Sequence, residues 1–207
     1  MLAHDRQKRI VRDGYNAVSQ LYRGDEDDSR CSNYHQWLDE LVPMIPAGAA
    51  VLDLGCGNGI PVAKRLASSF NVTGVDISEV QIERARANVP NGRFICSDMT
   101  KWTCSPRTFD VIVSFYAVIH VPLAEQRALF EKLYRWLRIG GHLMVIVGHE
   151  AYTGEEPNWL GSGAPMHWSH ADHATYESWL MRIGFATLWL RFVPEGTGGH
   201  VLILARR

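Results

Sequence analysis

Three aspartates stand where a chain could grip a charged, hydroxyl-rich ligand. Asp53 lies in V-L-D-L-G-C-G-N-G (residues 51–59), Asp76 in V-T-G-V-D-I-S (72–78) and Asp98 in F-I-C-S-D-M (94–99). Each follows or ends an apolar run, which puts all three at the carboxyl ends of successive strands, the edge where open α/β sheets bind ligands. A carboxylate accepts two hydrogen bonds from a cis-diol, and an Asp side chain can accept from an exocyclic amino group beside a backbone N–H. Singly, such residues also cap ordinary turns, so the weight lies in their recurrence. Gly55, Gly57 and Gly59 let the backbone adopt φ > 0 and let a ligand approach where a Cβ would stand. Ile60 occupies the place of the third glycine in a dinucleotide fingerprint, and Asp53 would repel a pyrophosphate while attracting an ammonium group. The spacing disfavours NAD and favours a zwitterion.

A second set of candidates lies further along. The fourth apolar run ends in S-F-Y-A-V-I-H-V (114–121). Phe115 and Tyr116 either present ring faces to a bound cation or fill core. His120 is either a general base or acceptor-orienting group, or a hydrogen-bonded wall residue. His149 and Glu150 hold a similar position after the fifth run. In M-H-W-S-H-A-D-H (166–173) three histidines recur every third residue, a spacing that a metal could use on one helix. Ser169, however, has the S-x-x-D spacing of a helix cap with Asp172, which leaves His167 outside that helix. No metal site is expected; Trp159, His167 and Trp168 are expected to line a cap over the acceptor.

The elements that must position these residues follow from periodicity. Val11, Tyr15, Val18 and Tyr22 recur at helical spacing from Asp5 to Tyr22, and a second helix covers Asn33 to Val42, stopping near Pro43 and Pro46. The acidic stretch at 24–29 reads as a solvated loop and hinge. Strands are expected at Ala49–Leu54, Asn71–Asp76, Arg93–Ser97, Phe109–Ile119 and His142–Val147. Helices lie between them at about Ile60–Ser69, after the Ser78/Gln81 capping box, and from Pro122 to a stop at Gly140 and Gly141. Strict β-α alternation gives a doubly wound parallel sheet with right-handed crossovers. Residues 148–168 break the rhythm and read as an ordered lid loop. A helix starting at Ser169 and two strands, Ala186–Val193 and His200–Ala205, finish the chain. Their six-residue connection is too short for a crossover, so they pair antiparallel. If strand six runs parallel to strand one, that connection returns at the carboxyl edge and brings Glu195, Gly199 and His200 to the acceptor.

Composition narrows the function. The 207 residues carry 21 Lys+Arg against 22 Asp+Glu, so bulk charge points to neither nucleic acid nor an anionic membrane. Cys31, Cys56, Cys96 and Cys104 form no C-x-x-C pair, which argues against a disulfide framework or zinc ribbon. The N-terminus lacks an apolar h-region and no stretch approaches a membrane span, making a reducing cytoplasm the expected compartment. The length fits one domain, residues 1–207, with an N-terminal helical cap over 1–47 and a lid insertion over 148–168.

At the three aspartate motifs the sequence resembles the class I S-adenosylmethionine-dependent methyltransferases, with the same element order from roughly Tyr15 to Arg207. The resemblance implies a Rossmann-like seven-stranded sheet, order 3-2-1-4-5-7-6, strand seven antiparallel, with helices on both faces. It implies S-adenosyl-L-methionine as cofactor. Asp53, Gly55, Cys56, Gly57 and Gly59 would hold its methionine part, Asp76 and Ile77 its ribose, and Asp98 and Met99 its adenine, with Gln81 and Phe115 adjoining. The family's N-terminal helix folds over the cofactor, a role that would fall to Tyr15 and Tyr22. The end of strand four lacks the N-P-P-Y type sequence of enzymes acting on DNA bases or protein amides and looks more like the small-molecule branch, with transfer to an O, N or S atom. Candidate catalytic residues are His120, His149 and Tyr116, and the acceptor pocket would take Trp159, His167, Trp168, Glu195 and His200. Rival readings are a nucleic-acid or protein methyltransferase, a nicotinamide oxidoreductase and a non-catalytic cofactor-binding module. Oligomeric state is left open.

Overall fold

The computed structural model describes residues 3–207, so the first two residues of the expected cap lie outside the described residues. Two helices, α1 (Ala3–Tyr22) and α2 (Ser32–Leu41), precede the sheet. Then β1 (Ala50–Leu54), α3 (Val62–Leu66), β2 (Asn71–Asp76), α4 (Glu79–Asn88), β3 (Arg93–Cys96), β4 (Phe109–Ser114), α5 (Leu123–Trp136) and β5 (Leu137–Gly148) alternate as expected. A hairpin, β6 (Tyr152–Glu156) and β7 (Met166–His170), is followed by α6 (His173–Ile183), β8 (Ala186–Glu195) and β9 (Gly198–Arg206).

Seven strands form one sheet in the order β3-β2-β1-β4-β5-β9-β8, the expected order once the separate β6-β7 pair is set aside. Pairings from β3 to β5 are parallel, while β9 runs antiparallel to both β5 and β8. Both faces are covered. Leu38, Leu41, Val51, Leu66, Ile82 and Val113 belong to one apolar layer, and Leu52, Leu54, Ile112, Phe130, Leu133 and Tyr176 to the other. That two-sided burial is why β1 and β4 read as continuous apolar runs. Because β1 pairs with β2 on one side and β4 on the other, the strand order reverses there and opens a crevice at the carboxyl ends of β1 and β4.

Several boundaries differ from expectation. The fourth strand stops at Ser114 rather than Ile119: Tyr116 takes φ 56°, and Val118–His120 form a short 3-10 turn. That turn is buried, so its hydrophobicity could not be told from a strand's. Helix α5 ends at Trp136, and Gly140 and Gly141 lie inside β5, where the register against β4 shifts between Phe109 and Val111. A Cβ at Gly141 would stand 2.7 Å from the Asp110 carbonyl oxygen, so this glycine permits strand contact instead of ending a helix. The glycine-turn helix is short, Val62–Leu66. The 148–168 stretch is no loop throughout but contributes β6 and the start of β7. Ser169 lies within β7, and Asp172 is the true cap of α6, accepting from Thr175 N at 2.8 Å. Ser169 Oγ instead accepts from Leu123 N at the start of α5, 46 residues away in sequence.

Candidate functional site

The turn after β1 is built from backbone. Gly55, Gly57 and Gly59 all take positive φ, at 81°, 52° and 83°. The N–H groups of Gly55 and Cys56 both donate to the Val75 carbonyl, at 2.7 and 3.2 Å, which locks the turn onto β2. An added Cβ at Gly55 would fall 2.1 Å from the Ala117 Cβ, whereas one at Gly57 would meet nothing within 4 Å. Gly57 therefore borders open space, as a cradle for a ligand must.

The acids meet at this turn. Asp76 accepts from Gly57 N and Ser78 N, both at 2.9 Å, which ties the end of β2 to the turn and to the cap of α4. Burial raises its carboxyl above the usual range. Asp53 is fully buried, and burial, with the Asp76 charge beside it, pushes its carboxyl up to about 8. Its Oδ2 has no hydrogen-bond partner. A buried carboxylate oxygen left unpaired costs roughly 1–3 kcal/mol or more, a cost that a ligand's ammonium group would remove. Asp98 sits at the third strand end, where Oδ1 accepts from Thr100 N and Oγ1 and Oδ2 from Lys8 Nζ at 2.9 Å. Those contacts hold its carboxyl below the usual range despite burial.

Helix α1 forms the roof. Lys8 donates to Asp98, Thr100 and Glu125 at 2.9, 2.6 and 2.5 Å, Ser19 donates to Gln81, and Arg84 of α4 reaches Ser19 Oγ, the Arg23 carbonyl and Asp25. The acidic 24–29 loop is thus a clasp, with Asp25 held by Asn88, Arg84 and Gln20 and its carboxyl well below the usual range. Beneath the roof one cavity of about 490 Å³ is bordered by Tyr15, Tyr22, Asp76, Ile77, Tyr116 and His120, with Gln81 and Met99 also in its wall. A second, of about 420 Å³, adjoins it at Gly55, Gly57, Gln81 and Phe115, and holds Asp53, Cys56, Tyr22 and Arg23. A third, apolar one runs beside Ile77, Asp98 and Met99 under Lys8 and Val11. Every residue expected at the cofactor lines one of these three, except Gly59, whose positive φ serves the turn and whose added Cβ would sit 3.0 Å from Val89.

An outer cavity of about 600 Å³ opens on the far side of Tyr116, with Asn33, Tyr34 and Trp37 of α2, Tyr22, Arg23 and Glu195 in its wall. Glu195 arrives as expected, because β8 runs parallel to β5 and its turn returns at the carboxyl edge. His200 Nδ1 lies 2.9 Å from Glu195 Oε2, and its ring packs edge-on against Tyr116 at 5.3 Å. Burial, and secondarily the Glu195 charge, pushes the Tyr116 phenol well above its usual range. Gly199 serves the hairpin itself: a Cβ there would stand 2.4 Å from the Val193 carbonyl oxygen.

Other expected pocket residues lie elsewhere. Trp159, His167 and Trp168 border none of these cavities; Trp159 packs on Tyr15 and Tyr22 at 5.2 and 5.5 Å, bracing α1 from behind. His167 is buried in β7 with Nδ1 3.7 Å from Glu155, and neither ring nitrogen is hydrogen-bonded. His149 stacks on His173 at 5.2 Å and meets Phe192 at 4.7 Å, also away from the cavities. His120 borders the inner cavity as a wall residue. Its Nδ1–H donates to the His167 carbonyl at 2.7 Å, so Nε2 accepts from Tyr15 Oη at 3.0 Å, and burial lowers its pKa to about 4. It is a neutral anchor whose basic nitrogen is already used. Lys8, Arg23, Tyr34 and Trp37 are site residues that spacing did not reveal, since nothing local marks a side chain whose partner is distant. Among the described residues no group of three His, Cys, Asp or Glu could hold a metal ion, and no helix is long and apolar enough to cross a membrane.

A glycine turn, an orphaned carboxylate and two further strand-end acids in one crevice define an α/β sheet built for a ligand that combines an amino acid with a nucleoside. Residues 51–141 match the model of a methyltransferase domain. The chain is 37% identical over 128 residues to a trans-aconitate 2-methyltransferase of Variovorax paradoxus, covering 60% of this chain and 47% of that one. It shares its fold with the 1,6-didemethyltoxoflavin-N1-methyltransferase of Burkholderia thailandensis solved with S-adenosylhomocysteine (TM-score 0.74, 16% identity, 100% and 91% covered). Magnesium protoporphyrin IX methyltransferase of Synechocystis, also solved with S-adenosylhomocysteine, has the same fold (TM-score 0.72, 17% identity, 97% and 99% covered). Residues 51–141 thus match a methyltransferase domain, and the whole chain has the fold of S-adenosylmethionine-dependent methyltransferases. It spans less than half the length of the curated relatives it matches.

Proposed function

We propose that this chain transfers the methyl group of S-adenosylmethionine to a nucleophilic O, N or S atom of a small molecule. The observation that carries this reading is Asp53 Oδ2, a buried carboxylate oxygen with no partner beside a glycine turn open at Gly57. Asp53 would receive the cofactor's ammonium group and Arg23, in the same cavity, its carboxylate. Asp76 and the apolar slot of Ile77, Met99 and Val11 beside Asp98 suit a ribose and an adenine. Bound there, the cofactor supplies a methyl group already activated on a positively charged sulfur.

The chain's own work is placement, exclusion of water and, for an O–H or N–H acceptor, removal of a proton. The 1–47 cap, braced by the 148–168 insertion, gives the exclusion. Tyr116 stands between the inner and outer cavities, where a methyl group would pass from one ligand to the other. The relatives' names support small-molecule acceptors, trans-aconitate and 2-methyl-6-phytyl-1,4-hydroquinone among them.

Thermal unfolding tests the donor. S-adenosylhomocysteine at a hundred times its Kd should stabilise the protein by about 2.7 kcal/mol, and NAD should not. Equal protection by NAD would overturn the reading. Methyl-labelled cofactor incubated with a metabolite extract should then yield a labelled small molecule; binding without transfer to varied extracts would point to a cofactor-binding module.

A further inference from the structure

The outer cavity has a chemistry that the choice of donor leaves open. Tyr34 and Trp37 of α2 pack against Phe115 and Tyr116 with ring centroids between 5.3 and 6.4 Å apart, edge-on or tilted, so Tyr34, Trp37 and Tyr116 in the cavity wall form a ring cluster backed by Phe115. Two charged side chains reach this space, and they are not equivalent. Arg23 faces both cavities: its guanidinium donates to Cys31 Sγ and lies 5.1 Å from the Tyr34 ring centroid and 5.8 Å from that of Tyr22. It is the group placed to meet the donor's carboxylate, and the Tyr34 ring it packs on already faces a positive charge. Glu195 reaches only the outer cavity among the four, and His200 stands against both its carboxylate and the edge of Tyr116.

We propose that the acceptor presents a basic nitrogen carried on or beside a flat ring, received as a cation among the Tyr34, Trp37 and Tyr116 rings with Glu195 as counter-ion and first proton acceptor. The proposal rests on the methyltransferase reading of the inner cavity. With Arg23 taken up by the donor's carboxylate, an anionic acceptor in the same place would meet the negative faces of the rings and the Glu195 charge. For transfer, the ammonium proton passes to the Glu195 carboxylate and frees the nitrogen lone pair. The nitrogen then forms its bond to the methyl carbon as the carbon–sulfur bond breaks, its electron pair staying on sulfur. One methyl group enters the acceptor and one proton leaves it. His200 acts as a positioning residue, holding the carboxylate toward the cavity.

Calorimetry on the protein saturated with S-adenosylhomocysteine tests this with three probes of one shape: tryptamine, tryptophol and indole-3-acetate. Tryptamine should bind about tenfold more tightly than tryptophol, and indole-3-acetate most weakly of the three. Glu195→Gln should bring tryptamine and tryptophol to within about twofold of each other while leaving S-adenosylhomocysteine affinity unchanged, and His200→Ala should reduce the preference part of the way. Equal or tighter binding of the alcohol or the acid, binding of none of the three, or an amine preference that survives Glu195→Gln would overturn the proposal. A protein that does not take up S-adenosylhomocysteine would count against the donor reading instead.

Discussion

The inner and outer cavities share Tyr116, yet they are made by different means. Around the inner cavity the chain uses backbone conformation and strand ends: three glycines at positive φ, two N–H groups on one carbonyl of β2, and acids at three successive strand ends. Around the outer cavity it uses side chains from α2, from the end of β4 and from the tip of the β8–β9 hairpin, with Asn33 and Glu195 at opposite ends of the sequence. The floor of the first site is fixed once the sheet forms, and only its roof waits for α1 to pack. The second exists only when distant segments have packed, so it can change its lining without disturbing the sheet.

The sharpest way to break this contrast is Gly55→Ala. The new Cβ would overlap Ala117 on a residue held at φ 81°, and strain plus overpacking should cost about 2–5 kcal/mol and remove S-adenosylhomocysteine binding. Chemical denaturation and calorimetry check both; a variant with unchanged stability and affinity would show that backbone geometry is not what builds the inner site.

Asp53→Asn acts through charge alone. The wild-type carboxyl is raised from about 4 in the unfolded chain to about 8 in the folded one, so between these pH values the folded state keeps a proton that the unfolded state has lost. Stability contributed by this proton is present at low pH and is lost as pH rises through about 8, on the order of 5 kcal/mol in all. The Asn variant should therefore unfold at higher denaturant than wild type at pH 8 without ligand, yet bind S-adenosylhomocysteine more weakly. Wild-type affinity should rise with pH toward about 8, as Asp53 ionises against the ligand's ammonium group. Parallel losses of stability and affinity in the variant would contradict this account.

Tyr15→Phe should be the mildest. It leaves the ring contacts with Tyr22 and Trp159 but strands His120 Nε2, a loss of about 1–3 kcal/mol read as a few degrees in Tm. Cofactor affinity should change less than tenfold. A larger loss of affinity than of stability would give the hydroxyl a direct role in binding.

The contrast also explains what could be read from sequence. The strand positions, the glycine turn and the acids at 53, 76 and 98 were legible because each is a local pattern of apolar run, glycine and acid, whereas the strand order came only from the family resemblance. The β6–β7 hairpin was not, since Tyr152–Glu156 is an exposed, polar strand without an apolar rhythm. Ser169 looked like a helix cap because its spacing to Asp172 is right; its hydroxyl is used by α5 through folding. His120 carried the same ambiguity as any histidine at a strand end, and Tyr15, 105 residues away, decides it. Lys8 gave no signal because its three acceptors lie about 90 to 117 residues downstream.

Tyr116 is held at φ 56° and borders both cavities, so on the proposed assignment of donor and acceptor it would tie two binding equilibria together. A wall common to two ligands makes each sensitive to how the other leaves that ring. Thermodynamic reciprocity then requires that whatever factor the donor imposes on acceptor affinity, the acceptor imposes on donor affinity. The molecule therefore cannot tune its grip on one ligand through this ring without retuning its grip on the other.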